Sequence, residues 1–176
     1  MQAATFYVKA SAAPGGNGSS WSKAFNNLDS ALNAARTNGV ANQIWIAKGT
    51  YKPSQSYSGK YTGTEPNLKT FKLPNNVNLY GGFVGSETAL NQRDPDKNPT
   101  LFSGDLAGND VNIPSTAHDN KSDNAWHVLT ADGVTGVTLD GLSVIEGNSA
   151  GPDSGTLGAR FVIVPLDYTQ HRGEWQ

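Results

Sequence analysis

Short runs of apolar residues, most of them alternating with polar ones, recur along the chain. Each run is three to five residues long and is bounded by Gly, Asn or Asp. This pattern predicts short β-strands separated by tight turns. The predicted strands lie at 5–8, 44–47, 70–73, 77–80, 100–102, 126–129, 137–139 and 142–144.

One segment near the start of the chain has helical spacing instead. Asn26 or Asn27 is suited to be its N-cap, and Gly39 lies just past its end. The apolar face is narrow and rich in alanine, which predicts close packing against a flat surface. That face consists of Leu28, Ala31, Leu32 and Ala35.

The order of these elements excludes a helical bundle and an ordinary doubly wound fold, and it leaves two architectures open. An antiparallel sandwich requires hairpin turns between matched strands, and only Asp132-Gly133 and Asp140-Gly141 supply such a signal there. A parallel solenoid requires repeated units of strand and turn, and residues 137–144 have that form. The pattern alone favours the solenoid only slightly.

Composition then narrows the classes of function. The chain has 176 residues, a formal net charge of −2 and no cysteine. Its length predicts one domain, and the missing cysteines exclude a disulfide scaffold, a thiolate zinc site and a cysteine nucleophile. The balanced charge argues against nucleic acid as a partner. The longest aliphatic run is also far short of the about 20 apolar residues that a membrane-spanning helix needs.

Eight sequence fragments, taken in order, carry a resemblance to a known family. They span about residues 5 to 150, and their order and spacing are more specific than any one of them. They resemble the N-terminal part of right-handed parallel β-helix proteins secreted by bacteria, in the surface-protein branch of the pectate-lyase-like superfamily. The fragments lie at 6–9, 17–21, 28–32, 44–53, 77–83, 92–94, 101–105 and 139–141.

The resemblance implies an all-β fold, a right-handed parallel β-helix or solenoid, with one N-terminal capping α-helix. The start of the chain lacks a signal-peptide pattern, so either the protein is cytosolic or Met1 replaces a removed signal peptide. The resemblance favours the second explanation, because it implies a secreted or surface-bound bacterial protein. The core of this fold is expected to join the apolar helix face to inward-facing strand residues. Those residues are Ile44, Ile46, Val77, Leu79, Leu101, Val128, Leu139 and Val144.

The expected domain covers residues 1–150, and residues 151–176 form an atypical tail. The family pattern fails after about Asn148, where further glycine-rich repeats would be expected. The tail is either a final strand that covers the end of the solenoid or a sequence altered by truncation or a change of frame. An uncovered end would present unpaired strand edges, which predicts self-association through that end.

Four aspartates lie in one polar segment, at 104–124, with asparagines among them. Carboxylate and amide oxygens in turns are the ligands that Ca²⁺ takes, so calcium is the one cofactor that the sequence suggests. The spacing matches neither an EF-hand loop nor a glycine-rich calcium repeat, and Asp and Asn also form turns without any ion. The candidate ligands are Asp105, Asp110, Asp119 and Asp123.

Aromatic residues cluster around one predicted strand and the loop after it. Exposed rings stack on sugar faces, so the cluster predicts binding of a polysaccharide or cell-surface glycan. A core position is the alternative for Trp45, whereas Tyr57 and Tyr61 are flanked by small polar residues. The candidate glycan-binding residues are Trp45, Tyr51, Tyr57 and Tyr61.

Catalytic candidates are weak and are limited to Asp105, His127 and Asp140. The resemblance implies that an enzyme of this superfamily would combine calcium-binding acids with an Arg or Lys base on a strand. Arg93 lies beside Asp94 in a turn, which is more typical of a structural ion pair. We therefore expect a secreted module that binds a glycan or mediates adhesion without catalysis. The alternative is a polysaccharide lyase or glycosidase that uses acidic residues on the solenoid face.

Overall fold

The computed structural model describes residues 3–56, 66–111 and 120–148. The predictions for Tyr57, Tyr61, Asp119 and the tail at 151–176 lie outside these described residues. Within them, no helix is long and apolar enough to cross a membrane.

The predicted helix is α1, Leu28–Asn38, and both of its predicted ends are confirmed. The side chain of Asn27 caps the first turn by accepting a hydrogen bond from the Ser30 backbone N–H at 2.9 Å. Gly39 ends the helix in the left-handed conformation, with a φ of 66°, and its N–H donates to the Ala35 carbonyl. The helix packs against three strands, which are Thr5–Val8, Asn42–Ala47 and Phe71–Lys72.

The described residues form nine strands, and each of the eight predicted segments overlaps one of them. The additional strand, Gly49–Tyr51, was not predicted because Lys48 and Gly49 resemble the end of the preceding strand. The strands are β1 Thr5–Val8, β2 Asn42–Ala47, β3 Gly49–Tyr51, β4 Phe71–Lys72, β5 Val77–Phe83, β6 Thr100–Ser103, β7 Leu129–Thr130, β8 Thr138–Asp140 and β9 Ser143–Ile145.

The strands pair in three sheets, and every pair of named strands is parallel. The strand orders are β1-β2-β5-β8, β3-β6-β9 and β4-β7. In the first sheet, Ile44 of β2 lies opposite Leu79 of β5, and both side chains are fully buried. Alternate residues point to opposite faces of a strand, so the neighbouring row, with Trp45 opposite Tyr80, points away from this core.

The predicted fold class, an all-β right-handed parallel β-helix with a capping helix, is wrong. The described residues form a mixed α/β fold with three parallel sheets of four, three and two strands and one α-helix. The pattern of short strands did not indicate how unequally the strands are divided among sheets. It also did not show that α1 contributes five buried residues, so the helix is part of the core and not only a cap.

The core is largely the predicted one. Leu139 and Val144 are half-buried and pack against its edge, whereas Leu101 is half-buried because its neighbour Phe102 takes the inward position. Nine of the predicted core residues are buried: Leu28, Ala31, Leu32, Ala35, Ile44, Ile46, Val77, Leu79 and Val128.

Candidate functional site

A cleft of about 340 Å³ opens between α1, the segment after β3 and strand β4. Its volume lies at the low end of the roughly 300 to 1,000 Å³ that is typical of small-molecule sites. One lining residue, Leu32, is aliphatic, and the others carry hydrogen-bonding or charged groups. The lining consists of Asp29, Leu32, Asn33, Arg36, Gln55, Ser56 and Lys72.

One side of α1 forms one wall of the cleft. Asp29, Asn33 and Arg36 are four and three residues apart, so they form a polar stripe along one side of α1. The apolar face beside this stripe is buried in the core. On the opposite wall, Lys72 follows the fully buried Phe71, and the alternation of β4 turns Lys72 away from the core.

Asp29 is the buried acid of the cleft, with 5% of its surface exposed. Its Oδ2 accepts hydrogen bonds from the Ser54 backbone N–H at 2.8 Å and from the Ser54 hydroxyl at 2.6 Å. Burial raises the pKa of Asp29 above the ordinary aspartate value, and it outweighs the opposing effects of Ser54 and Arg36. The carboxyl group is therefore held in place and more easily protonated than a solvated one.

Arg36 spans the cleft from the helix to the sheet. One guanidinium nitrogen donates to Asn33 Oδ1, and the other donates to the Lys72 carbonyl oxygen at 3.0 Å. These contacts fix the plane of the guanidinium while the side chain stays exposed. A fixed, exposed guanidinium can donate paired hydrogen bonds to a carboxylate or to neighbouring hydroxyl groups.

The two described aromatic residues of the predicted glycan site are buried. Trp45 is 7% exposed and stacks on Phe83, with ring centroids 4.9 Å apart and an interplanar angle of 11°. Tyr51 is 3% exposed, and its hydroxyl donates to the Ala47 carbonyl oxygen at 2.8 Å. Burial raises the pKa of Tyr51 to about 12, although a bond from the Ala10 N–H opposes this effect. Both rings pack within the protein and present no exposed face to a sugar.

The predicted calcium ligand Asp105 is occupied by backbone donors. Its carboxylate accepts from the N–H groups of Gly108 at 2.7 Å, Asn109 at 3.2 Å and Asp110 at 3.3 Å. Burial acts to raise the pKa of Asp105, but these donors and the charge of Lys52 hold it below the ordinary value. The carboxylate thus stabilises its own turn, which agrees with the turn-forming alternative for this residue.

The other predicted metal ligands that the structure describes, Asp110 and Asp123, do not form a metal-binding group with Asp105. Asp110 accepts a hydrogen bond from Asn124 at 2.9 Å, and Asp123 lies half-buried in the short helical turn Lys121–Asp123. Among the described residues, no three His, Cys, Asp or Glu side chains are grouped so that they could hold a metal ion.

The catalytic candidates also lie in separate environments. Asp140 forms an ion pair with Arg93 at 2.5 Å, and the guanidinium lies 5.4 Å from the centre of the Tyr80 ring. The predicted pairing of Arg93 with Asp94 is therefore replaced, and Asp94 pairs with Lys97 at 2.7 Å. His127 is half-buried just before β7.

The described residues thus define a mixed α/β protein with parallel sheets and a polar cleft against its helix. Comparison of the chain with protein-family models, curated proteins and solved structures found no match. The resemblance carried by the sequence fragments stays a prediction, and the function has to be argued from the cleft.

Sequence reasoning missed this cleft, although part of its signal is in the sequence. The stripe of Asp29, Asn33 and Arg36 has the same helical period as the apolar face that was recognised. The contact between Asp29 and Ser54 joins residues 25 positions apart, and no local pattern indicates it.

Proposed function

We propose that the protein binds a carbohydrate in the cleft beside α1, without catalysis. The observation that carries this proposal is the lining of the cleft, in which carboxylate, amide, guanidinium and hydroxyl groups converge. Each sugar hydroxyl both donates and accepts a hydrogen bond, and planar side chains with two polar atoms can bind adjacent hydroxyls together. The cleft offers acceptors at Asp29 and donors at Arg36, with Asn33 and Gln55 able to do both.

The polar groups of the cleft are already held in place before a ligand binds, and this supports binding. Asp29 is anchored by Ser54, and Arg36 is anchored by Asn33 and by the backbone of Lys72. Groups that are already fixed lose little conformational entropy when a ligand arrives. The fragment resemblance adds an extracellular bacterial setting to the proposal, in which the ligand is a polysaccharide or a cell-surface glycan.

An enzyme acting on carbohydrate is the second candidate, and Asp29 favours it. A buried carboxyl group with a raised pKa is suited to be a general acid. Glycoside hydrolysis ordinarily needs a second carboxyl group roughly 5 to 9.5 Å away. Among the described residues that line the cleft, Asp29 is the one acid, and this favours binding over hydrolysis.

The proposal is tested by titrating the whole chain with a panel of neutral and acidic oligosaccharides, using calorimetry. We expect Asn33→Ala and Arg36→Ala each to weaken binding of the recognised sugar at least tenfold. The matched controls are Asn91→Ala and Lys97→Ala, which change the same residue type or the same charge at exposed positions away from the cleft. Equal affinity in cleft variants and controls would place the binding surface elsewhere.

A second measurement separates binding from catalysis. Chromatography of each oligosaccharide after long incubation is expected to recover it unchanged. Release of shorter products by the native chain, and their loss in Asp29→Asn, would establish the enzyme instead. Failure of every sugar in the panel to bind would remove both candidates.

A further inference from the structure

Two buried side-chain oxygens, Asp110 Oδ1 and Asn124 Oδ1, have no hydrogen-bond partner in the described part of the chain. Asn124 is completely buried, so its amide oxygen is also shielded from solvent. Buried polar atoms of native proteins are nearly always satisfied, and an exception requires an explanation. The two atoms belong to the polar segment that the sequence singled out, but they are a different set from the four predicted aspartates.

The orientation of the Asn124 amide is fixed by its neighbours. Its nitrogen donates to Asp110 Oδ2 at 2.9 Å and to the Glu146 carbonyl oxygen at 3.0 Å. Both amide hydrogens are thereby used. Rotating the amide by half a turn would place its oxygen against two other acceptors. The contacts of the amide nitrogen therefore fix Asn124 Oδ1 in the position where it has no hydrogen-bond donor.

The two side chains that carry these oxygens are in contact, because the Asn124 amide nitrogen donates a hydrogen bond to Asp110 Oδ2 at 2.9 Å. Both oxygens are acceptors, so whatever satisfies them has to be a hydrogen-bond donor or a cation. The Asp110 carboxylate accepts one hydrogen bond, at Oδ2, from the neutral Asn124 amide. The negative charge of the nearby Asp105 carboxylate is stabilised by three backbone N–H groups and by Lys52. Carboxylate and amide oxygens are also the ligand types of a hard divalent cation.

We propose that Asp110 and Asn124 bind a divalent cation of the calcium type through these two oxygens, with water and backbone carbonyl oxygens as its remaining ligands. The site differs from the one that the sequence predicted, since Asp105 uses its carboxylate oxygens for backbone N–H groups. It is independent of the carbohydrate cleft, which is built from α1, β4 and the segment after β3. The fully buried and unsatisfied Asn124 oxygen carries the proposal, because acidic residues alone do not make a site.

The test is a thermal melt of the whole chain, freed of metal by chelation, at increasing concentrations of CaCl₂ and in parallel with MgCl₂. A ligand that binds only the folded state raises the Tm with the logarithm of its free concentration above its Kd. We expect the Tm of the native chain to rise with calcium and to respond less to magnesium, which prefers a smaller octahedral site.

Two variants give the test its specificity. Asp110→Asn keeps the shape of the side chain and removes its charge, so we expect at least a tenfold weaker calcium affinity by calorimetry. Asp96→Asn is the matched control, an exposed aspartate that lies outside the proposed site, and it should bind like the native chain. A Tm that does not change with either ion would overturn the proposal and assign the two oxygens to a buried water. Unchanged affinity in Asp110→Asn would overturn it as well.

Discussion

Asp29 and Asp105 have similar exposed surfaces, at 5% and 6%, but Asp29 is surrounded by more protein, and their pKa values move in opposite directions. Asp29 receives both of its hydrogen bonds from one residue, Ser54, and they reach a single oxygen. Asp105 receives three backbone N–H groups that are divided between its two oxygens. Burial raises the pKa of both groups, but only at Asp105 do the donors and Lys52 outweigh it.

Two differences accompany the opposite shifts: Asp29 lies deeper in the protein, where desolvation dominates, and Asp105 has three donors divided between both of its oxygens. Asp105 is fully engaged in closing a turn. Asp29 lines a cleft and keeps one oxygen for which the structure gives no bond among the described residues. Glu87, in the loop after β5, is held in the same way as Asp105. Its carboxylate accepts hydrogen bonds from the backbone N–H groups of three consecutive residues.

The largest effect is expected for Asp105→Ala. The substitution leaves three backbone N–H groups without their acceptor, and we expect a loss of about 2 to 3 kcal/mol in the free energy of unfolding. Urea denaturation measures it, with Asp96→Ala as a control because that aspartate is exposed. A loss no greater than that of the control would show that water replaces Asp105 at these donors.

The two aspartates should also differ in how pH affects stability. The pKa of Asp29 is raised on folding, so its contribution is present below the ordinary value of 3.8 and is lost as the pH rises through the folded-state value. The pKa of Asp105 is lowered, so its contribution is present above 3.8 and is lost as the pH falls.

Unfolding free energies measured from about pH 3 to pH 6 in Asp29→Asn and Asp105→Asn test this difference. Relative to the native chain, we expect Asp29→Asn to gain stability as the pH rises and Asp105→Asn to lose it. Parallel pH profiles of the two variants would contradict the assignment of opposite shifts.

A smaller effect is expected for Asn27→Ala, which removes the cap of the helix that carries Asp29. The Ser30 N–H loses its acceptor, and the usual loss for such a change is about 1 kcal/mol. Asn27→Asp is the conservative comparison, because its carboxylate still accepts the bond and suits the start of a helix. Equal stability of the two variants by urea denaturation would argue against the cap.

The smallest effect is expected at Asp94, a carboxylate whose side chain is 38% exposed. Its hydrogen bonds to the Lys97 side chain and backbone lower its pKa, but the Lys97 side chain is 83% exposed. Solvent screens such a pair, so Lys97→Ala should leave the unfolding midpoint unchanged. A measurable loss would mean that donors alone, without burial, are sufficient for stabilisation.

The sequence predicted local structure well because local structure depends on neighbouring residues. The Asn27 cap, the Gly39 ending and the inward row of Ile44 and Ile46 all follow from periodicity and turn chemistry. The overall class was not predicted, because the division of strands among sheets depends on pairings between distant segments, such as Thr50 with Leu101.

The same limit explains the candidate sites. Asp105 was selected for its neighbours in sequence, and those neighbours occupy it through their backbone N–H groups. Asp29 was overlooked because an acidic residue in a first helical turn is ordinarily explained by the helix dipole. Tryptophan is a residue type that stacks on sugars, and Trp45 was selected for that reason. Its burial against Phe83 depends on the pairing of β2 with β5, which the sequence does not show.

The parallel register has a consequence for the time course of folding. Thr5 pairs with Gln43, Asn42 with Val77 and Asn78 with Thr138, so each sheet contact closes a long stretch of chain. The entropy of closing such loops is lost before any pairing compensates for it, and domains dominated by distant contacts commonly fold in milliseconds to seconds. Before the strands pair, α1 is the one described element longer than a turn that can form from contacts between neighbouring residues. The emerging polypeptide therefore has its strand edges exposed for longer than a helical protein of equal length would.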